Sequence, residues 1–177
     1  MRNGLLVAAS FILVGSGVLH AQNYFPLAVG NRWGYIDEAG ERRVIVEVTG
    51  VDEIDNKKWS KVRWLDGTER SLRVDAQGQL VELDRRQNKE VVWVDFASPP
   101  GKTYETKNDP CGDGAHVTAR DANRIEIAYN NRCLDGGLQS EIYIDSVGLS
   151  ERIRVTYAGP MRYRLVSARI ASRELSF

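Results

Sequence analysis

The feature that most constrains the fold of this chain is an alternation of apolar and polar residues with a period of two. Short segments carry it from Arg32 onward, separated by turns rich in glycine, aspartate and asparagine. This period is typical of strands with one buried and one solvent-facing side. The apolar residues that define it are Val44, Val46, Val48, Leu72, Val74, Val92, Val94, Phe96, Ile125, Ile127, Tyr129, Ile142, Ile144, Ile153, Val155 and Tyr157.

The short gaps between these segments select a sheet topology. They suit hairpins, whereas parallel strands need crossover connections of roughly a dozen residues or more. We therefore predict an all-β, antiparallel up-and-down meander of about eleven strands. An open sheet of that size would leave two exposed edges, so we expect a closed or partly closed barrel or a two-layer sandwich. The alternation does not choose between these alternatives.

The first residues are typical of an export signal. Arg2 gives a positive start, residues 4–19 carry no charge, and Ala21 offers a small residue to signal peptidase. The uncharged run is shorter than the roughly twenty residues that a membrane helix needs. We predict a signal peptide over residues 1–21 and a single β-rich exported domain over 22–177, periplasmic or secreted. An uncleaved anchor is the alternative, and no second apolar run of spanning length follows.

The composition of the predicted mature chain excludes several classes of protein. Loss of Arg2 leaves 23 basic residues against 24 acidic ones, without the basic excess of a nucleic-acid binder. An apolar content of 42% argues against disorder. Two cysteines are too few for a structural zinc site. We expect no nucleic-acid partner, no transmembrane segment after cleavage, and no metal or other cofactor.

Cys111 and Cys133 are predicted to form a disulfide, because an exported chain enters an oxidising compartment. Segments 115–120 and 124–130 would form a hairpin around a three-residue turn. In that register the numbers of paired residues add up to 244, as do 111 and 133. The cysteines would then face each other at the open end of the hairpin, a bridge worth roughly 3 kcal/mol.

Two further details concern the last strands. Over residues 161–170 the apolar parity shifts after Leu165, which predicts a β-bulge. In the last hairpin, a loop over 158–160 places Arg154 opposite Arg164, with Arg162 beside them. Like charges directly opposite each other destabilise a sheet. We therefore expect a neutralising group, either an anionic ligand, an acidic partner or carboxylates of the preceding strand such as Glu141.

Three short motifs resemble a loose group of exported bacterial proteins of unknown function. Residues 23–35 read NYFPLAVGNRWGY, and the mature chains of that group open with YFPL followed by G-N-x-W-x-Y. Segments 95–101 and 146–149 also fit, although Asp145-Ser146 replaces the start of a fuller P-G-V-G-L. The resemblance implies an exported β-rich domain and supplies no catalytic residues.

The aromatic residues of the first motif allow two interpretations. Tyr24, Phe25, Leu27 and Trp33 form an apolar cluster with Pro26 inside it. The cluster either plugs one end of the β-structure or forms an exposed aromatic lip that contacts a ligand or partner.

No residue pattern in the chain matches a catalytic motif. The G-x-S-x-G, H-E-x-x-H and phosphate-loop patterns are missing, and His116 is the one histidine of the predicted mature chain. A single histidine on a polar strand face makes neither a catalytic triad nor a three-ligand zinc site. If the disulfide gathers Asp109, Asp113 and Asp135, their carboxylates could hold calcium. The alternative is a pair of glycine turns beside the disulfide.

These observations favour a non-enzymatic exported domain of the cell envelope that binds a small apolar ligand or an envelope partner, or acts structurally. One alternative is a module like a proteinase inhibitor, acting through the disulfide-bridged loop 108–114. Another is a hydrolase whose carboxylates the sequence does not locate. The candidate ligand- or partner-binding residues are Tyr24, Phe25, Trp33, Arg154, Arg162 and Arg164.

Mass spectrometry of the protein expressed with its leader tests cleavage of the signal peptide and formation of the disulfide together. We expect a denatured mass equal to residues 22–177 minus two hydrogens, which reports both cleavage and the disulfide. A native mass with an extra component that is lost on denaturation would identify an interior ligand. A bare native mass would indicate a filled core and direct the search to surface partners.

Overall fold

Thirteen antiparallel strands form one sheet in the computed structural model, which describes residues 23–38, 42–106 and 109–177. The predicted signal peptide lies outside the described residues. Within them no helix is long and apolar enough to cross a membrane. The strands are β1 (Arg32–Asp37), β2 (Arg43–Ile54), β3 (Lys57–Arg63), β4 (Glu69–Val74), β5 (Gln79–Asp84), β6 (Lys89–Asp95), β7 (Thr103–Tyr104), β8 (Gly112–Arg120), β9 (Arg124–Asn131), β10 (Gly137–Ile144), β11 (Gly148–Thr156), β12 (Gly159–Ile170) and β13 (Arg173–Ser176).

The strand order is that of a meander rolled into a nearly closed barrel. It runs β6-β5-β4-β3-β2-β1-β12-β11-β10-β9-β8-β7. The first strand, β1, therefore pairs with β12, and β13 also pairs with β12. The predicted all-β meander is confirmed, and the barrel is chosen over the sandwich. The predicted count of about eleven strands is low, because β7 has two residues and β13 has four, too few to display an alternation.

One side chain bridges the seam between the two ends of the sheet. Thr106 follows β7 and is buried, and its hydroxyl oxygen lies 2.9 Å from the carbonyl oxygens of both Val92 and Trp93 on β6. Its one proton can be donated to either of these carbonyls, which a paired strand would otherwise engage.

Aromatic rings fill the inside of the barrel. The largest fully buried side chains include Trp33, Trp64, Trp93 and Tyr143. Ring centroids are 4.8 Å apart for Trp64 and Trp93, and 5.1 Å apart for the stacked pair of Phe25 and Trp33. These distances are those of rings in direct contact, so the interior near them is packed side chain.

The segment before β1 closes one end of the barrel. Asn31 is buried, and its side chain donates to the carbonyl of Pro26 at 2.9 Å and accepts from the amide of Ala171 at 3.0 Å. The indole of Trp33 donates to the carbonyl of Val147 at 2.6 Å. Gly148 lies beneath that ring with a φ of +119°, and a Cβ there would approach the indole nitrogen to 2.8 Å. Glycine is therefore required at this position.

The bulge predicted in the last long strand is confirmed. Gly34 pairs with Ser167 and Tyr35 pairs with Leu165, so Val166 is the additional residue on β12. The extra residue keeps both Leu165 and Ala168 buried on the inner face.

The predicted disulfide between Cys111 and Cys133 is present, with the two Cα atoms 5.3 Å apart. Residues 115, 116 and 117 pair with 129, 128 and 127, which is the predicted register. A register shift between Val117 and Ala119 moves the remaining pairs by one residue, and the amide of Asp121 donates to the carbonyl of Arg124. The loop between the last hydrogen-bonded positions is therefore the two residues 122–123, one residue fewer than predicted.

Replacement of Cys111 by serine should lower the free energy of unfolding by about 2–5 kcal/mol, because the bridge restricts the unfolded chain. Urea denaturation at neutral pH measures the change. Cys133→Ser is the matched control and should cost the same amount, and reduction of the unmodified protein should reproduce both variants. An unchanged melting temperature on reduction would contradict a stabilising role for the bridge.

Candidate functional site

The predicted aromatic lip does not exist, because its rings are inside the barrel. Tyr24, Phe25 and Trp33 are each at most 2% exposed. Tyr24 contacts Phe96 with centroids 5.2 Å apart, and the hydroxyl of Ser60 donates to the carbonyl of Leu27 at 3.0 Å. The other interpretation, a plug at one end of the barrel, describes these residues correctly.

The predicted register of the last hairpin is wrong. Thr156 pairs with Gly159, so the loop is the two residues 157–158, and the hydroxyl of Thr156 accepts from the amide of Ala158 at 3.2 Å. Gly159 and Pro160, interpreted as turn residues, instead begin β12. Arg154 consequently lies opposite Met161 rather than Arg164.

The three arginines of that hairpin have separate surroundings. Arg154 forms an ion pair at 3.1 Å with Asp109, a carboxylate that is almost fully buried. The side chain of Arg162 lies 3.7 Å from that of Glu151. The register partner of Glu151 on β12 is Arg164. They do not form one cluster. Of the neutralising groups considered, Glu141 does engage an arginine, but it does so inside the barrel.

Glu141 is the centre of a buried polar network. Its side chain is fully buried, and one carboxylate oxygen accepts from Arg152 at 2.5 Å. The other oxygen accepts from the hydroxyls of Tyr129 and Tyr143 at 2.6 Å and 2.7 Å. Arg152 also lies over the ring of Trp64, 5.7 Å from its centroid. A buried carboxylate needs such donors, since an unpaired charge in the interior is costly.

The tyrosines of this network are held as neutral donors. Burial raises the pKa of Tyr129 and Tyr143 well above the ordinary value, and the charge of Glu141 raises each further. Burial also raises the pKa of Tyr35, whose hydroxyl donates to the carbonyl of Leu149 at 2.7 Å. Each of these tyrosine protons is donated to an acceptor of the protein itself.

A second layer of charge and aromatic rings lies beside the first. Arg70 lies over the ring of Trp93 at 4.9 Å and forms an ion pair with Glu82 at 3.1 Å. Burial raises the pKa of Glu82, and the positive charge of Arg70 partly offsets that rise. Since Trp93 contacts Trp64, the two tryptophan rings lie between Arg70 on one side and Arg152 on the other.

The acidic loops near the disulfide do not assemble into a calcium site. Asp109 is buried and engaged by Arg154 and by the amide of Cys111, whereas Asp113 and Asp135 are exposed. Over residues 23–38, 42–106 and 109–177 no three His, Cys, Asp or Glu side chains are grouped so that they could hold a metal ion. His116 is half-buried on β8, in register with Thr103 and Ala128.

A groove on the outside of the barrel is the candidate site. It has a volume of about 260 Å³ and crosses β2, β1 and β12 where β13 joins them. Its floor is Gly34, which is paired with Ile45 on one side and Ser167 on the other. The walls carry three arginines and one carboxylate: Arg32, Arg43, Arg169 and Glu174.

Sequence reasoning missed this groove. The alternation places Arg32 on the outer face, because its neighbour Trp33 is an apolar residue of the inner face. What brings Arg169 next to Arg32 is the pairing of β1 with β12, which joins residues 137 positions apart. No local pattern in the chain reports the register of that pair.

Comparisons with known proteins show no family for this chain. No family model matches it, and no curated protein matches it. One solved structure resembles it, a "putative lipoprotein" from Parabacteroides distasonis ATCC 8503, at 10% identity over 88% of this chain and 100% of that chain. The TM-score of 0.40 is too low to carry an argument about function.

Replacement of Arg152 by methionine should lower the free energy of unfolding by about 3–5 kcal/mol, because it leaves the charge of Glu141 buried with two neutral donors only. The double variant Glu141→Gln/Arg152→Met removes both charges, keeps acceptors for the two tyrosines, and should recover most of that loss. Urea denaturation measures both variants.

A matched control for this experiment is the partly exposed ion pair of Arg124 and Glu126. Arg124→Met should change the free energy of unfolding by less than about 1 kcal/mol. A double variant at the buried pair that is no more stable than Arg152→Met would contradict the charge-burial account.

Proposed function

We propose that this protein is an exported, non-enzymatic binding domain of the bacterial cell envelope, and that it binds through the outer surface of its barrel. The leader-like residues 1–21 and the disulfide between Cys111 and Cys133 support export. The antiparallel barrel presents a continuous outer sheet surface.

The filled interior is the observation that carries this proposal. Trp33, Trp64, Trp93 and the plug residue Phe25 belong to one interior cluster and are each at most 2% exposed. A carrier of a small apolar ligand would need that space for its cargo. The packing therefore favours surface binding over the interior site that the sequence also allowed.

The surroundings of the buried carboxylates favour binding over hydrolysis. Glu141 accepts from Arg152 and from two tyrosine hydroxyls, and Asp109 is held by Arg154 and the amide of Cys111. A general base or nucleophile must reach a substrate with a free lone pair. Both oxygens of Glu141 accept hydrogen bonds. Asp109 accepts one from the amide of Cys111, and its second oxygen is buried 3.1 Å from Arg154 in an ion pair without a hydrogen bond.

The inhibitor alternative receives less support. Loop 108–114 would have to project into a protease cleft, and Asn108 lies outside the described residues. From Asp109 onward the loop folds back, because the carbonyl of Asp109 accepts from the amide of Gly112 at 2.9 Å and its carboxylate is buried. Gly112 already begins β8.

Cell fractionation and co-sedimentation test the proposal. Expressed with its leader, the protein should be recovered outside the cytoplasm, without residues 1–21. The purified oxidised protein should co-sediment with one isolated envelope fraction, either peptidoglycan sacculi or membrane vesicles. The core variant Glu141→Gln/Arg152→Met should sediment to the same extent, because it changes no outer-face residue.

Two outcomes would overturn the proposal. One is recovery of the full-length chain in the cytoplasm, with residues 1–21 still attached. The other is a folded, oxidised protein that sediments with neither fraction.

A further inference from the structure

We propose that the groove over Gly34 binds a phosphoryl group carried on a molecule with an apolar part. The inference names the site and the ligand class for the surface binding proposed above, and it rests on that function.

The floor of the groove is open because residue 34 is a glycine. A Cβ built on Gly34 would lie 2.6 Å from the hydroxyl oxygen of Ser167, closer than any real contact. A larger residue would either fill the depression or displace that hydroxyl. Glycine is otherwise unfavourable within a strand; here the β-bulge begins at its pair with Ser167, and the Ser167 hydroxyl that lines the groove approaches its backbone closely.

The carboxylates of the described residues neutralise the positive charge of the walls only in part. Arg32 and Arg169 are directly opposite each other on the paired strands β1 and β12, an arrangement that like charges disfavour. Among the described residues, the ion-pair partner of Arg169 is Glu174, its register partner on β13, which lies 4.0 Å away and is 74% exposed. Glu47 is in register with Arg32, yet its ion pair is with Arg63 at 3.9 Å.

Arg43 adds a third cation from the other side of the floor. It is in register with Ile36, two residues beyond Gly34 on the same face of β1. Among the described residues neither Arg32 nor Arg43 has a carboxylate within ion-pair distance. Their side chains can reach over Gly34 from its two sides.

Elsewhere on the outer face, lysines and arginines form ion pairs with shared carboxylates. Asp52 binds Lys61 at 2.9 Å and Arg85 at 2.8 Å, and hydrogen bonds from both hold its pKa below the ordinary value. Glu90 is likewise shared by Lys57 and Arg73. The sequence supplies enough acidic residues for such pairs, with 24 of each sign. The unneutralised arginines are thus confined to particular places, and the groove is one of them.

The charge and chemistry of the walls fit a phosphoryl group. Three arginines and Glu174 give the groove a net charge of two positive units, and a phosphate monoester carries about −1.5 to −2 at neutral pH. Guanidinium groups bind phosphate oxygens through paired N–H donors, and the Ser167 hydroxyl can add another. Ile45, which is 40% exposed, and Val166 supply an apolar surface beside the charges for the rest of the molecule.

Titration with phenyl phosphate, followed by calorimetry on the purified protein at low salt, tests the inference. Each of Arg32→Gln, Arg43→Gln and Arg169→Gln should weaken binding by about tenfold, since each removes a charged hydrogen-bond donor. The matched control is Arg86→Gln, an equal charge change at the exposed turn between β5 and β6. The control variant should bind as the unmodified protein does, and circular dichroism should show all four variants folded.

Vesicles distinguish the two sources of the phosphoryl group. Co-sedimentation with phosphatidylcholine vesicles that contain phosphatidic acid, lost in Arg32→Gln, would identify a lipid headgroup. Binding of phenyl phosphate without vesicle binding would identify a soluble phosphate ester. The inference is overturned if phenyl phosphate does not bind, or if Arg86→Gln weakens binding as much as the groove variants do. Envelope binding that survives all three groove variants would leave the proposed function in place and remove only this site.

Discussion

The pairing of β1 with β12 is the interaction on which the rest of the structure depends. It joins the two ends of a meander that hairpins alone would leave open, from the pair of Arg32 and Arg169 to the pair of Asp37 and Tyr163. The inner side of β1 carries Trp33 and Tyr35 into the barrel, where both are buried. The outer side of the same pairing forms the floor and one wall of the groove. A single long-range register thus determines both the aromatic core and the candidate site.

Closure leaves a barrel whose two ends differ in chemistry. One end is sealed by the plug residues and by the indole of Trp33 on the carbonyl of Val147. Towards the other end the interior holds Glu141, Arg152 and their tyrosine donors. A buried network of this kind adds little net stability compared with an apolar core, but each member is costly to leave unpaired. It therefore favours the one register in which all the donors and acceptors meet.

Features set by neighbouring residues could be predicted from the sequence. The alternation, the bulge at Val166 and the pairing of Cys111 with Cys133 each follow from a pattern within one hairpin or strand. The partner of Arg154 was predicted wrongly, because Gly159 and Pro160 were assigned to the last turn. The turn is instead at residues 157–158, and Gly159 is already paired with Thr156. Glu141 and Arg152 alternate like solvent-facing residues, and only their mutual pairing allows both to be buried. Long-range registers and compensated charges have no local signature.

The arginines of this protein differ in whether a carboxylate lies close to them. Arg70, Arg73, Arg85 and Arg152 each lie within 3.1 Å of a carboxylate, whether on the outer face or inside the barrel. At Arg32 and Arg169 the same chain places like charges opposite each other over a glycine. Repulsion between exposed charges is small in salt, so the fold tolerates it. The first four arginines are thus paired with carboxylates, but the other two face each other beside the open groove. This exception indicates a constraint other than folding, and binding of an anion is such a constraint.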